Sequence, residues 1–391
     1  MNCRFVTVLA CGAVLLAQQP LERAWQLAAN GQPQEALRVL RELIETNPQN
    51  ADARLLLGSL LMEEGQREES ISQLTAAVRL RPSSVEAENA LGEAYNKFGD
   101  TAAARTAFEK AVALKPEYAV AQLNLGQALL GAGELTGAAA HLDRAIHLFG
   151  RADDAADAHY LRAKVYTAEG APQEAATELE QAVSLRPKLG EAWSDLGQAR
   201  RTLLDDAGAL AAFERAVDSN PEDAVAQYRL GAEYLRQNKP HLAVEHLRQA
   251  YQLNPTDQST LNGLQIALRQ DGNPEEANRL KQKLAELLRE KARANQNHLT
   301  AIKENNEGAD LEKSGDLRGA LTKYREASHL NPEHVGIRVN YAVALLRLGQ
   351  WTEGLNELHE ALLLDPNNTK IQASLREALA QAPPNAIPKW K

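Results

Sequence analysis

Eight of the chain's prolines recur at a fixed interval, and this interval constrains the fold more than any other feature of the sequence. Five of the seven gaps are 34 residues, and the other two, 71 and 77, are two such periods plus 3 and plus 9. A period of about 20 to 50 residues is typical of stacked repeats, in which each repeat contacts mainly its neighbours. The sequence therefore predicts a solenoid, whose broad surface is suited to holding other chains. The eight prolines are Pro48, Pro82, Pro116, Pro187, Pro221, Pro255, Pro332 and Pro366.

Numbering each unit so that this proline falls at position 32 divides the chain into ten units. A short insertion around Asp153 and Asp154, and nine extra residues before residue 301, account for the two longer gaps. The predicted units are 17–50, 51–84, 85–118, 119–152, 156–189, 190–223, 224–257, 258–291, 301–334 and 335–368.

Each unit is predicted to form two amphipathic helices. In the third unit, Leu91 and Tyr95 share one face of the first helix, and Ala104, Phe108 and Ala111 share one face of the second. This spacing of three to four residues is typical of helices with one buried side. The proline at position 32 then ends the second helix, because proline lacks an N–H and clashes with the preceding turn.

The turn between the two helices is marked by glycine at position 15, which we expect to adopt a positive φ. Asn238 takes this place in the seventh unit and is the best substitute for glycine in a left-handed conformation. Leu204 in the sixth unit is the one misfit, and we expect Asp205 and Asp206 to move that turn by one residue.

Positions 8 and 20 are small and position 24 is Leu or aromatic in almost every unit, so that paired helices can approach closely; the eighth unit departs from this pattern with Gln265 and Lys281. Small residues at 8 and 20, an apolar residue at 24, alanine at 27 and proline at 32 resemble the tetratricopeptide repeat over about residues 17–368. The resemblance implies an all-α, right-handed superhelical solenoid of about ten helix-turn-helix hairpins, with a concave groove lined by the first helices.

The repeat is interrupted after the eighth unit. From residue 275 to 306 there is neither glycine nor proline, and the dense Ala, Leu, Lys and Glu content predicts a long second helix reaching about Asn295, with a bend between Asn295 and Asn297 as one option. This segment is either a rigid spacer between two arrays or a lengthened repeat in one continuous superhelix. The predicted parts are an array of tetratricopeptide repeats over 18–291, a helical spacer at 292–300, two further units over 301–368, a capping helix at 369–382 and a flexible tail at 383–391.

The first 17 residues predict a secretory signal peptide. They combine Arg4 with 13 uncharged residues, and the small Ala17 precedes the expected cleavage point. The alternative is lipoprotein processing that leaves a lipidated Cys11. Cys3 and Cys11 are the chain's two cysteines, so a mature chain cleaved after residue 17 would contain none and could form no disulfide. We therefore expect an exported, periplasmic or secreted protein without an integral membrane segment after leader removal.

Charge and motifs argue against nucleic-acid binding and catalysis. The formal charge is −9, from 43 basic and 52 acidic residues, without the basic stripe that phosphate neutralisation requires. His141 and His147, like His241 and His246, lack the four-residue spacing of a helical metal site, and no nucleophile or phosphate-loop motif is present. We therefore expect no catalytic residue, no metal and no cofactor.

The groove is the better candidate for function, with a protein or an extended peptide as the expected partner. An asparagine at position 6 can donate to a backbone carbonyl and accept from an N–H at once, and the resemblance implies that some family members bind peptides in this way. The set of lysine and asparagine residues that clamps a terminal carboxylate is not found. The candidate residues are Asn89, Glu93, Asn124, Gln127, Tyr160, Lys164, Ser194, Asp195, Gln198, Tyr228, Asn306 and Asn340.

Two functional hypotheses follow. The first is an exported, non-enzymatic scaffold that helps to assemble an envelope or secreted complex. The second is an accessory subunit that docks substrates for a separately encoded enzyme. Self-association through exposed helix faces is a third alternative for the partner.

Overall fold

The computed structural model describes residues 20–366 and 368–390, and within them it contains helices and no strand. The predicted signal peptide lies outside the described residues. None of the described helices combines the length and the apolar composition needed to cross a bilayer. The helices are α1 (20–29), α2 (Pro33–Thr46), α3 (Ala51–Glu63), α4 (Arg67–Leu80), α5 (Val85–Lys97), α6 (Thr101–Leu114), α7 (Ala119–Gly131), α8 (Leu135–Phe149), α9 (Ala155–Glu169), α10 (Pro172–Leu185), α11 (Gly190–Thr202), α12 (Asp206–Ser219), α13 (Ala224–Arg236), α14 (Pro240–Leu253), α15 (Gln258–Gln270), α16 (Pro274–Lys313), α17 (Leu317–Leu330), α18 (Val335–Arg347), α19 (Trp351–Leu364) and α20 (Thr369–Gln381).

The helices pair into hairpins that follow one another along the chain. From α3 to α14, each odd-numbered helix packs against the helix after it, and each even-numbered helix packs against the next hairpin. The first helices of neighbouring hairpins also contact each other, as α5 does with α7 and α11 with α13. Such nearest-neighbour packing is the defining property of a solenoid.

Close approach within each hairpin depends on the small residue at position 8. A Cβ added to Gly92 would lie 2.5 Å from Phe108 Cε1, and one added to Gly197 would lie 2.5 Å from Phe213 Cε1. Real Cβ atoms do not approach this closely, so the rings occupy the space that the missing side chains leave. The close approach of paired helices that the small residue at position 8 predicted is therefore confirmed.

The turn of the sixth unit differs from the prediction. Leu204 itself adopts the left-handed conformation, with φ 61°, and its side chain is 85% exposed. Asp205 is the N-cap of α12 and accepts a hydrogen bond from Gly208 N at 2.9 Å. The turn is not displaced, because the cap and the start of α12 hold Leu204 at the position that glycine takes elsewhere.

The interrupted region is one element. Helix α16 runs unbroken through the predicted spacer, so the second helix of the eighth unit and the first helix of the ninth are continuous, without an end near Asn295. The chain divides into two compact units, Met1–Asp271 and Gly272–Lys391, and this division precedes the predicted spacer. The long run of good helix formers without glycine or proline explains the continuity.

The C-terminal segment differs from a flexible tail. A short 3-10 helix, Pro384–Ala386, follows α20, and Thr352 Oγ1 donates to Ala386 O at 3.0 Å. The ring of Trp390 stacks on His359 with centroids 4.5 Å apart, and its Nε1 donates to Asn356 Oδ1 at 2.9 Å. The segment contacts α19 because a large aromatic ring gains both apolar contact and a hydrogen bond there.

Candidate functional site

Polar side chains tie neighbouring first helices together at the predicted groove positions. Asn124 Nδ2 on α7 donates to Asn89 Oδ1 on α5 at 3.0 Å, across 35 residues of sequence. The same amide donates to Glu93 Oε1 at 3.0 Å, and Asn89 Nδ2 donates to Glu93 Oε1 at 2.8 Å. These three predicted residues therefore form one network in which both N–H groups of Asn124 are used.

Side chains at the same positions of the repeat also form hydrogen bonds between α9, α11 and α13. Tyr160 OH lies 3.3 Å from Glu191 Oε2 and 3.3 Å from Asp195 Oδ2, so its single proton can be donated to either carboxylate. Arg229 Nη1 donates to Ser194 Oγ and to Asp195 Oδ1, each at 2.8 Å. Burial and the two neighbouring carboxylates raise the pKa of Tyr160, so its hydroxyl stays protonated and remains a donor.

In the second compact unit the tie uses a different asparagine from the one predicted. Asn340 Nδ2 on α18 donates to Asn305 Oδ1 on α16 at 3.0 Å, again across 35 residues. Asn306, the predicted groove residue, is exposed beside it. A residue at position 6 thus pairs with position 5 of the preceding unit, a rule that a single unit's pattern does not contain.

These ties change the role of the predicted asparagines. In the structure Asn124 and Asn340 donate to neighbouring helices and so hold the groove wall in place. Gln127 is exposed, whereas Tyr228 is half-buried and lines a cavity of about 170 Å³ with Val225 and Thr260.

A larger cavity of about 510 Å³ lies among α9, α10, α11 and α13, and we call it the groove cavity. Three predicted residues, Lys164, Asp195 and Gln198, line it. Arg229 also lines it and was not among the predicted candidates, although it occupies position 6 like Asp195. The remaining lining residues are Thr167, Ala168, Gly170, Ala171, Pro172, Ala175, Ala199 and Thr202.

Small side chains at the end of α9 leave space at the groove cavity. Positions 12 and 13 are Thr167 and Ala168 here, whereas the next units carry arginine at position 12 or 13, as Arg201 and Arg236 show. Pro172 at position 17 adds no long side chain. The space that longer residues would fill is therefore open, and its surface is mainly apolar.

Among the described residues, two cations near the groove cavity have no acidic partner: Lys164, which lines the cavity, and Arg201, which lies beside the lining residue Gln198. Arg229 is paired with Asp195 at 2.8 Å. Lys164 is exposed, and its ammonium lies 5.2 Å from the centroid of the Tyr160 ring. Arg201 Nη2 donates to Gln198 Oε1 at 2.6 Å. Within residues 20–366 and 368–390, neither Lys164 nor Arg201 forms an ion pair. The cavity therefore has a positively charged border.

Two histidines on second helices are hydrogen-bonded to the first helix of the same hairpin. His141 Nδ1 lies 2.7 Å from Gln122 Oε1, and His246 Nδ1 lies 2.9 Å from Gln227 Oε1. Burial lowers the pKa of both imidazoles, which favours the neutral form. In the part of the chain that the structure describes, no three His, Cys, Asp or Glu side chains are grouped to hold a metal ion.

Comparison with known proteins identifies the repeat. Two family models, both described as tetratricopeptide repeat, match this chain: one at residues 27–94 and 311–381, the other at 89–153, 123–190 and 194–258. The chain belongs to the tetratricopeptide repeat family. The predicted class, an all-α solenoid of tetratricopeptide hairpins, is thereby confirmed together with the helices described above.

Curated relatives match only parts of this tetratricopeptide repeat protein. Protein FlbA of Caulobacter vibrioides is 30% identical over 193 residues, which are 49% of this chain and 31% of the relative. Sperm-associated antigen 1 of Mus musculus is 40% identical over 81 residues, 21% of this chain and 8% of the relative. The chain thus spans about a third or less of the length of these relatives.

Solved structures show the same fold at low sequence identity. A Pseudomonas aeruginosa pilF structure aligns with a TM-score of 0.50 at 17% identity, covering 54% of this chain and 95% of that chain. A tetratricopeptide repeat protein from Parabacteroides merdae aligns with a TM-score of 0.50 at 16% identity, covering 64% and 98%.

Proposed function

We propose that this protein is a non-enzymatic scaffold that binds a protein partner, or an extended peptide segment of one, in its groove. The main observation in support of this proposal is the structure of the groove wall in the first compact unit. Its first helices are tied by Asn124, Tyr160 and Arg229, and they border a cavity of about 510 Å³. A wall fixed before binding loses little conformational freedom when a partner is bound.

We further propose that the protein is exported and that it helps to assemble an envelope or secreted complex. Support comes from the apolar segment 5–17 behind Arg4, which has the layout of a secretory leader. A second candidate function is an accessory subunit that docks substrates for a separate enzyme, because the same groove suits that role.

Site-specific photo-crosslinking tests the groove. A photoreactive residue replaces Gln127, which is exposed at a predicted groove position of α7, in the full chain in its own cells. The matched control replaces Gln181, which is exposed on the second helix α10. We expect a discrete crosslinked protein from position 127 and none from position 181. Equal crosslinking at both positions, or none at either, would contradict groove binding.

Mass spectrometry of the crosslinked species separates the two candidate functions. A structural component of an envelope or secreted complex supports the scaffold, whereas an enzyme supports the accessory subunit. N-terminal sequencing of the mature protein tests export, with Gln18 expected as the first residue. A lipid-modified Cys11 at the N-terminus would instead establish the lipoprotein alternative, and an intact Met1 would contradict export.

A further inference from the structure

The groove cavity has an apolar floor and a cationic border, and this combination specifies a ligand chemistry. We propose that the cavity receives an apolar side chain from an internal, extended segment of the partner, and that Lys164 and Arg201 pair with acidic side chains flanking it. The inference rests on the proposed function, since it names the kind of segment that the groove binds.

The floor favours an apolar side chain because it offers few polar partners. Ala168, Ala171, Pro172, Ala175 and Ala199 contribute no polar side-chain atoms. A volume of about 510 Å³ lies in the range of roughly 300 to 1,000 Å³ in which proteins bind compact ligands. A leucine or phenylalanine side chain is therefore removed from water when it enters, while a serine in its place would gain little.

The border favours acidic neighbours because two cations, Lys164 in the lining and Arg201 beside it, lack carboxylate partners among the described residues. Asp195 is already paired with Arg229, so it does not neutralise Lys164. Arg201 is hydrogen-bonded to the neutral amide of Gln198, which leaves its charge unbalanced. An acidic residue on either side of the inserted side chain would meet these charges, whereas a basic residue would be repelled.

Amidated heptapeptides with a labelled N-terminus provide the probe, and fluorescence anisotropy with the full chain provides the readout. We expect peptides with a central leucine or phenylalanine between two glutamates to bind at least tenfold more tightly than peptides with flanking lysines or a central serine. Binding of the glutamate-flanked peptide should weaken as salt rises, because its ion pairs are near the surface.

Two variants examine the floor and the border separately. Ala168→Leu fills the cavity and should weaken binding of the glutamate-flanked peptide at least tenfold. Because Ala168 is exposed and its position in the repeat is occupied by arginine in other units, folding should be retained. Lys164→Glu should weaken binding of that peptide about fivefold and should reduce the difference in affinity between it and the lysine-flanked peptide. The control Lys188→Glu makes the same charge change at an exposed residue outside the cavity lining and should change neither affinity.

Several results would overturn the inference: no binding of any heptapeptide to the wild-type chain, equal affinity for glutamate- and lysine-flanked peptides, unchanged affinity in Ala168→Leu, or binding that requires a free terminal carboxylate. Crosslinking from position 127 judges the proposed function independently. A crosslinked partner together with any of these results would leave groove binding in place and refute the proposed chemistry of the cavity.

Discussion

At the scale of single residues, the fit between positions 8 and 24 follows a rule of size. Where position 24 is aromatic, as in Phe108, Phe213 and Tyr324, position 8 is always glycine. Alanine at position 8, as in Ala163, faces leucine at position 24, as in Leu179. A ring at position 24 is therefore found only opposite glycine, while leucine is found opposite either glycine, as Leu74 is opposite Gly58, or alanine.

Gly92→Ala is expected to destabilise the first compact unit by roughly 1–3 kcal/mol, because its Cβ would lie 2.5 Å from the Phe108 ring. Chemical denaturation measures the change. Gly131→Ala is the control, since no heavy atom lies within 4 Å of the added Cβ, and it should be neutral or slightly stabilising. Adding Phe108→Leu to Gly92→Ala should recover part of the loss. Independent, additive effects of the two changes would refute the size rule.

Leu204 is the residue whose backbone conformation fits its side chain least. Its φ of 61° costs an L-residue with a branched side chain about 1 kcal/mol, and its 85% exposure means that little packing is lost on truncation. We expect Leu204→Gly to raise the free energy of unfolding by about 0.5–1 kcal/mol. The neighbouring Leu203→Gly, at φ −82°, should lower it instead. Destabilisation by Leu204→Gly in thermal unfolding would show that the left-handed backbone is not strained.

At the scale of helices, the recurring proline has a second role that the sequence pattern did not reveal. Its carbonyl accepts a hydrogen bond from the side chain six residues later, at position 4 of the following first helix. Gln122 Nε2 donates to Pro116 O at 2.8 Å, and Gln227 Nε2 donates to Pro221 O at 2.9 Å. The contact joins the end of one hairpin to the start of the next. Arg54, Trp193, Arg338 and Gln372 donate in the same way.

Glu88 occupies this position in the third unit and cannot donate when ionised. It is 5% exposed, and its Oε2 has no hydrogen-bond partner among the described atoms. Burial raises the pKa of its carboxyl group, and the charge of Lys110 opposes this only partly. We expect Glu88→Gln to stabilise the protein by about 1 kcal/mol at pH 7, because glutamine can donate to Pro82 O as Gln122 does to Pro116 O.

The same substitution should alter the pH dependence. A carboxyl group whose pKa is raised on folding destabilises the native state above that pKa, and the penalty disappears as the pH falls to the unfolded pKa. The stability advantage of Glu88→Gln over the wild type should therefore shrink between pH 7 and about pH 4. Glu169→Gln, at an exposed position, should show no such trend. A stability advantage that is independent of pH would show that ionisation of Glu88 is not its cause.

At the scale of the whole molecule, each compact unit needs an end that does not expose apolar surface. In the second unit α20 packs on α19, and Trp390 covers the cluster formed by Leu358, Leu375 and Ala378. Both tail hydrogen bonds join residues 34 apart, one repeat period, so the tail lies where the second helix of a further hairpin would begin.

Trp390→Ala is expected to destabilise the second unit by about 1–3 kcal/mol, through loss of the stacking, the burial and the hydrogen bond. Hydrogen exchange should accelerate in α19 and α20 and remain unchanged in α3 to α14, because solenoid contacts are local. Trp25→Ala, at a 56% exposed position in the other unit, is the control and should not affect α19 or α20. Unchanged exchange in α19 and α20 after Trp390→Ala would mean that the tail does not stabilise this end.

The sequence by itself determined the period, the hairpins, most turns and the need for a small residue at position 8. These features depend on residues that are close together within one unit. Only the tertiary structure decided that Asn124 is tied to Asn89, that Asn305 and not Asn306 pairs with Asn340, and that a cavity opens beside Lys164. Those features depend on how the side chains of neighbouring units fit together, since a tie needs partners 35 residues apart and a cavity needs small residues on several helices at once.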